Sequence, residues 1–211
     1  MKKMSVFLVV LLALCMVLPA KAQTNLGVIA GLNLANVNVD PEPEGMDLTN
    51  RTAFGFGGVL EVGLSESVAL RFEPMYLQKG AEAAINGVEI EFNLAYLEVP
   101  VMLKYAFGAG DTKPYIMAGP TIGFKLSAKQ KISVGSESDE EDIKDDISST
   151  DFGLGFGGGV NFHTGNNSIF VEVRYNIGLT NINDNSDDPD TEIKTKGIQI
   201  FAGIIFPLGS K

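Results

Sequence analysis

Eight stretches of the chain alternate apolar and polar residues with a period of two, the signature of strands with one greasy and one polar face. In FVEVRYNIGL (170–179), Val171, Val173, Tyr175, Ile177 and Leu179 share one side, and Glu172, Arg174, Asn176 and Gly178 share the other. The same alternation occupies 24–37, 52–64, the stretch from Val68, the stretch ending near Phe107, 114–126, 152–162 and 196–208. No helical pattern competes, since 140–147 lacks an apolar face. The predicted fold is all-β, with eight antiparallel strands.

The connections alternate in length. Residues 65–67, 108–113 and 163–167 are short turns, whereas 38–51, 127–151 (with SESDEEDIKDD) and 180–195 (with NDNSDDPD) are long and acidic. All the short turns fall at one end of the strands and all the long loops at the other, as in bacterial outer-membrane barrels. Asn86-Gly87 marks a tight turn, so the third and fourth strands form one long hairpin. About 10 tilted residues cross a bilayer, which leaves the tip, 79–93, standing beyond it. Apolar residues occupy even positions at Val88, Ile90, Phe92 and Leu94 and odd ones from Leu97. That change of phase predicts a bulge near Ala95-Tyr96.

Alternation alone does not say which face meets water. The glycines sit on the polar stripe, with Gly153, Gly155, Gly157 and Gly159 in unbroken succession. On a water-facing strand they would weaken the sheet without compensation. In an eight-stranded barrel, whose interior is just wide enough to be filled by side chains, they make room for large neighbours. The charges on that stripe balance: Glu61, Glu73, Glu98 and Glu172 against Arg71, Lys104, Lys125 and Arg174. A closed interior needs such a lumen charge network, because an unpaired buried charge is costly. The apolar stripes are almost free of charge, which a soluble surface would interrupt. These features predict an eight-stranded up-and-down transmembrane β-barrel with a plugged polar lumen. A narrow channel for water or small solutes, and a soluble lipocalin-like ligand-binding barrel, stay open as alternatives.

The chain has 211 residues, the size of one domain. Its start departs from the strand pattern. Lys2 and Lys3 precede an apolar run over 6–18, and Ala20-Lys21-Ala22 offers a small-x-small cleavage site, the order of a secretory signal peptide. Residues 1–22 are therefore read as a signal removed after Ala22, and 23–211 as the barrel domain. Cys15, the one cysteine, leaves with it, so no disulfide is expected. Without the signal's three lysines, Lys+Arg falls from 16 to 13 against 26 Asp+Glu, and the net charge from −10 to −13. So acidic a chain repels nucleic acid. The expected partners are outer-membrane lipid and a protein bound through the loops.

Candidate chemistry changes the picture little. His163, the single histidine, sits in a short turn, so a His-based triad has one candidate base and no cysteine, and His163 is read as a turn residue; no catalytic residue and no cofactor are expected. The acidic stretch 183–190 lacks the glycine and final glutamate of a calcium loop, so no metal site is expected. The run 153–159 lacks the lysine and following helix of a phosphate loop. The interior carboxylates are read as structural rather than as an acid–base site. The hairpin tip, with Asn86, Gly87, Glu89 and Glu91, is the candidate partner-binding element, its edges offering a template for strand addition.

GVIAGLNLANV, FGFGGVLEVGLSESVALRFEPMYLQKG, YLEVPVMLKY, PYIMAGPTIGF, FGLGFGGGV and VEVRYNIGLTNI resemble, in that order, the PorT-like outer-membrane β-barrel proteins of Gram-negative bacteria. YLEVPVMLKY and VEVRYNIGL are the most specific pieces. The resemblance implies the same barrel and carries over no activity, because fold does not fix function. Many outer-membrane barrels end on an aromatic residue; here Phe206 is followed by PLGSK.

Overall fold

The computed structural model describes residues 23–208 other than 44, 46, 86 and 187. The expected signal segment, its cleavage site and Asn86 lie outside the described residues. Those described form eleven antiparallel strands rather than eight: β1 (Thr24–Asp40), β2 (Asp47–Thr49), β3 (Arg51–Gly63), β4 (Val68–Phe72), β5 (Met75–Ile85), β6 (Val88–Ala106), β7 (Thr112–Val134), β8 (Glu137–Asp142), β9 (Thr150–Thr164), β10 (Asn167–Gly178) and β11 (Glu192–Leu208).

The pairing closes on itself. β1 pairs with β3 and β11, β11 with β10, β10 with β9, β9 with β7, β7 with β6, and β6 with β4, which returns to β3. That ring has eight strand positions. β4 and β5 share one of them, because both pair with β3 and with β6 at different heights. The break between them falls at Glu73-Pro74, where proline has no N–H to give the ladder; the Pro74 carbonyl instead accepts from Gly58 N–H at 3.0 Å.

The other two additional strands lie outside the ring. β6 and β7 run for 19 and 23 residues, far more than a bilayer crossing needs, which is about 10. Beyond the ring they continue as a fin in the order β2-β5-β6-β7-β8. β8 arises within the acidic connection predicted to be a loop. Gly135, at φ +62°, opens a two-residue turn that sets Val134 opposite Glu137; the Gly-Ser pair was a legible hairpin signal. The ladder between β6 and β7 shifts between Ala95 and Tyr96, where the bulge was predicted. The extra residue, however, is Leu126 of β7: Ala95 faces Ser127 and Tyr96 faces Lys125.

Around the ring the apolar stripe points outward. Val28, Leu32, Phe56, Leu103, Ile116, Phe156, Val173 and Ile200 are all exposed, at 44–57%. Aromatic contacts recur on that surface, with Tyr105 edge-on to Phe107 at 4.9 Å and Phe156 edge-on to Tyr175 at 5.6 Å. The interior carries the charges and a mixed core including Met75, Leu77, Met102, Phe170 and Phe201.

Candidate functional site: the ionic interior

The inward stripe brings six of the predicted lumen residues into one connected set. Arg71 on β4 bonds Glu73 at 2.8 Å and Glu172 at 2.9 Å. Arg174 on β10 bonds Glu73 at 2.5 Å and also Glu172. The four therefore form a closed ring of alternating charge. Lys104 binds Glu61 at 2.8 Å, and Glu61 reaches Arg71 at 3.6 Å. Tyr115 donates its hydroxyl proton to Glu172 at 2.6 Å. Arg71, Glu73, Glu172 and Arg174 are at most 2% exposed, so each charge depends on its partners rather than on water. The set is neutral, with Glu61, Glu73 and Glu172 against Arg71, Lys104 and Arg174. Aromatic faces close over it, with Phe170 4.5 Å from the Arg71 guanidinium and Tyr115 4.4 Å from Lys104.

Period two puts these groups together. Glu172 and Arg174 are i, i+2 on β10, and Glu61 and Arg71 are directly paired across β3 and β4. The glycine stripe of β9 faces them. A Cβ on Gly159 would lie 2.7 Å from both the Tyr115 hydroxyl and the Glu172 Cβ. Gly159→Val is therefore expected to lower the unfolding free energy by about 1–3 kcal/mol, the usual cost of overpacking. The urea midpoint for loss of the folded, heat-modifiable gel band reads the change.

Glu98 belongs to a second set nearer the long-loop end. Lys79 of β5 binds Glu98 and, at 3.0 Å, Asp151. Thr195 donates to Asp151 at 2.8 Å, and Asn176 to Glu98 at 3.4 Å. Lys79 and Asp151 were not among the expected lumen residues. Lys79 was assigned to the hairpin tip, and Asp151 is the next inward position after the glycine stripe. Lys125, expected in the network, donates instead to the carbonyls of Lys144 and Ile147, tying down the β8–β9 connection.

The hairpin residues lie in the fin. Glu91 faces Glu82 across the pair and is bound by Arg51 at 3.4 Å. Glu89 is exposed, and Gly87 turns the chain at φ +82°. The hairpin's own edges are occupied, by β7 along β6 and by β2 along Glu82 to Ala84. The open edges belong to β2 and β8. On β8 all six side chains are exposed. Lys129 on β7 holds Glu140 of β8 at 2.5 Å, and that hydrogen bond keeps its ammonium above the ordinary lysine range. No trio of histidine, cysteine or carboxylate groups disposed to hold a metal occurs among the described residues. The His163 ring nitrogen Nδ1 lies 3.2 Å from the Asp111 carbonyl.

A chain with exposed aliphatic residues around its circumference and ion pairs at its centre inverts the order of a water-soluble domain. Residues 21–184 match the family described as "Outer membrane protein beta-barrel domain". No curated protein matches the chain. Among solved structures it is similar to Neisserial surface protein A, at 17% identity and a TM-score of 0.50, over 88% of this chain and 97% of that one. It is also similar to the attachment invasion locus protein of Yersinia pestis, solved with a heparin analogue, at 15% identity and 0.42, over 87% and 99%. A third is the N-terminal β-barrel domain of Pseudomonas aeruginosa OprF, at 13% and 0.40, over 89% and 100%.

Proposed function

This chain belongs to the outer membrane protein beta-barrel domain family, and from that premise we propose that it is a non-catalytic surface protein whose plugged eight-stranded barrel anchors a docking structure outside the cell. Within the family the motifs YLEVPVMLKY and VEVRYNIGL favour the PorT-like members. Export proceeds through the signal at 1–22, cleaved after Ala22, and the apolar belt meets outer-membrane lipid.

The observation that carries the proposal is the interior. A ring of eight strand positions leaves room for little besides side chains, and here that space holds a neutral ionic set and an apolar core. Such a centre offers neither an aqueous path nor an acid–base pair held apart for reaction, and each buried charge in it has an ion-pair partner. Function then falls to the long-loop end, where strands run well past the length a bilayer requires. Five of the six residues of β8 are acidic, which repels a second copy of itself and suits a basic extended segment of a protein partner, added as a further strand.

Purified folded protein in planar bilayers is expected to show no stepwise conductance; regular steps would favour the channel alternative and remove the plug. Reversing the charge of the β8 edge by Glu137→Lys, Asp139→Lys and Glu141→Lys, all exposed, is expected to leave the heat-modifiable fold intact while abolishing cell-surface adherence that depends on this protein. Unchanged adherence would remove the docking role.

A further inference from the structure

Above the ring the strands reverse their polarity. On β1 the outward residues become Asn36 and Asn38, while Val37 and Val39 point inward. On β6 Phe92 and Leu94 face inward, and Glu89 and Asn93 outward. The long connections complete this inner apolar surface. Ile147 and Ile182 are buried there beside Leu94 and Ala128, a cluster separate from the core of the ring. The result is a pocket of about 250 Å³, open on one side, whose wall includes Val37, Val39, Phe92, Leu94, Ile147 and Ile182.

The space is built by specific interactions rather than left between loops. Asn183 donates to the carbonyls of Asp188 and Thr191, both at 2.8 Å. Asn181 accepts from the backbone N–H groups of Asn183 and Ile193, at 2.9 and 2.8 Å. A bridge between Ile147 and Asn183 joins the two connections. The side chains of Asn181 and Asn183 thus bond the backbone of their own connection, and Ile182 between them is buried. Below, Thr195, directly opposite Val37, donates to Asp151, so the ionic interior begins where the apolar wall ends.

We infer that this pocket is a binding site for a small uncharged hydrophobic molecule, of the bulk of one or two fused aromatic rings or a short alkyl chain. Water needs two to four polar partners to occupy a cavity, and an apolar cavity of roughly 150 Å³ already takes up a benzene ring. The ionisable group lining the space is the exposed Asp188, flanked in sequence by Asp184 and Asp190. That rim repels an anion, which selects against carboxylates of the same size. The assignment does not depend on the docking role and is tested separately from it.

The experiment is a titration of indole into folded protein in lipid nanodiscs, with isoleucine δ1-methyl groups labelled for NMR. The methyls of Ile147, Ile182 and Ile193 are expected to shift saturably, while those of the lipid-facing Ile116, Ile169 and Ile198 show no saturable change. Benzoate at the same concentrations is expected to leave all six unmoved. Val39→Phe, which fills the space, should abolish the saturable shifts with the heat-modifiable fold retained; Thr191→Trp, which covers the mouth, serves should that variant fail to fold. Absence of saturation at Ile147, Ile182 and Ile193, or its persistence in the filled variant, overturns the site. Equal binding of benzoate overturns the selection by charge.

Discussion

Glu172→Gln is expected to lower the unfolding free energy of the folded barrel by about 3–5 kcal/mol, the cost of leaving a buried charge without its partner. Glutamine keeps the shape and an acceptor for the Tyr115 hydroxyl. It removes one of the two carboxylates that hold Arg71 and Arg174 in their closed ring. Two guanidinium groups, both almost fully buried, would then share Glu73, and the set would carry a net positive charge. The remedy follows from the same count. Arg71→Met combined with Glu172→Gln leaves Arg174 with Glu73 and Lys104 with Glu61, one cation to each anion. The double variant is therefore expected to recover most of the loss, in a cycle that reports a coupling of the order of 0.5–3 kcal/mol or more. Urea titrations of the four proteins by tyrosine fluorescence measure it. If Glu172→Gln unfolds at the wild-type urea concentration, water reaches these groups and the lumen is not plugged.

The alternation that made the ring legible is strict because every ring strand separates an exposed apolar belt from a buried charged interior, and a period of two maps directly onto that difference. FVEVRYNIGL needed nothing else: Glu172, Arg174 and Asn176 are buried and Val171 and Val173 are exposed. Beyond the ring the surroundings change while the backbone does not. On β6 the even residues face inward throughout, at Leu94 and Tyr96 as at Glu98 and Lys104. Their character turns from polar to apolar because the outer face passes from lipid to water. Read as a shift of phase, that switch predicted a bulge at the right height, while the extra residue, Leu126, sits in the partner strand, where it carries the inward positions from odd to even.

The same change of solvent explains what was missed on the acidic connections. Their composition spoke for solvated loops, and much of SESDEED is exposed. Their isoleucines, Ile143, Ile147 and Ile182, are too widely spaced to register as a strand, yet they pack together over the ring. Spacing in sequence cannot show a cluster assembled from two connections. Lys79 was missed in another way: the odd inward positions run in phase from Arg71 through Met75 and Leu77 to Lys79, but a crossing of about 10 residues assigned it to the hairpin tip.

Lys79→Met is expected to be among the most damaging single changes in the chain. Lys79 is the one cation among the described residues that pairs with Glu98 and Asp151, and both carboxylates are at most 1% exposed. Losing it strands two negative charges side by side, so the loss is expected to reach or exceed about 3–5 kcal/mol. Asp151→Asn tests the same charges from the other side. The intact set holds two carboxylates to one ammonium, so this change brings it to one of each. The asparagine carbonyl still accepts from the Thr195 hydroxyl, which Asp151 now receives at 2.8 Å. Its cost is expected to stay near the net worth of a single hydrogen bond, about 1 kcal/mol. Adding Asp151→Asn to Lys79→Met should restore part of the stability lost. Equal damage from the two single changes would mean that size and hydrogen bonding, rather than charge, hold this end of the lumen together.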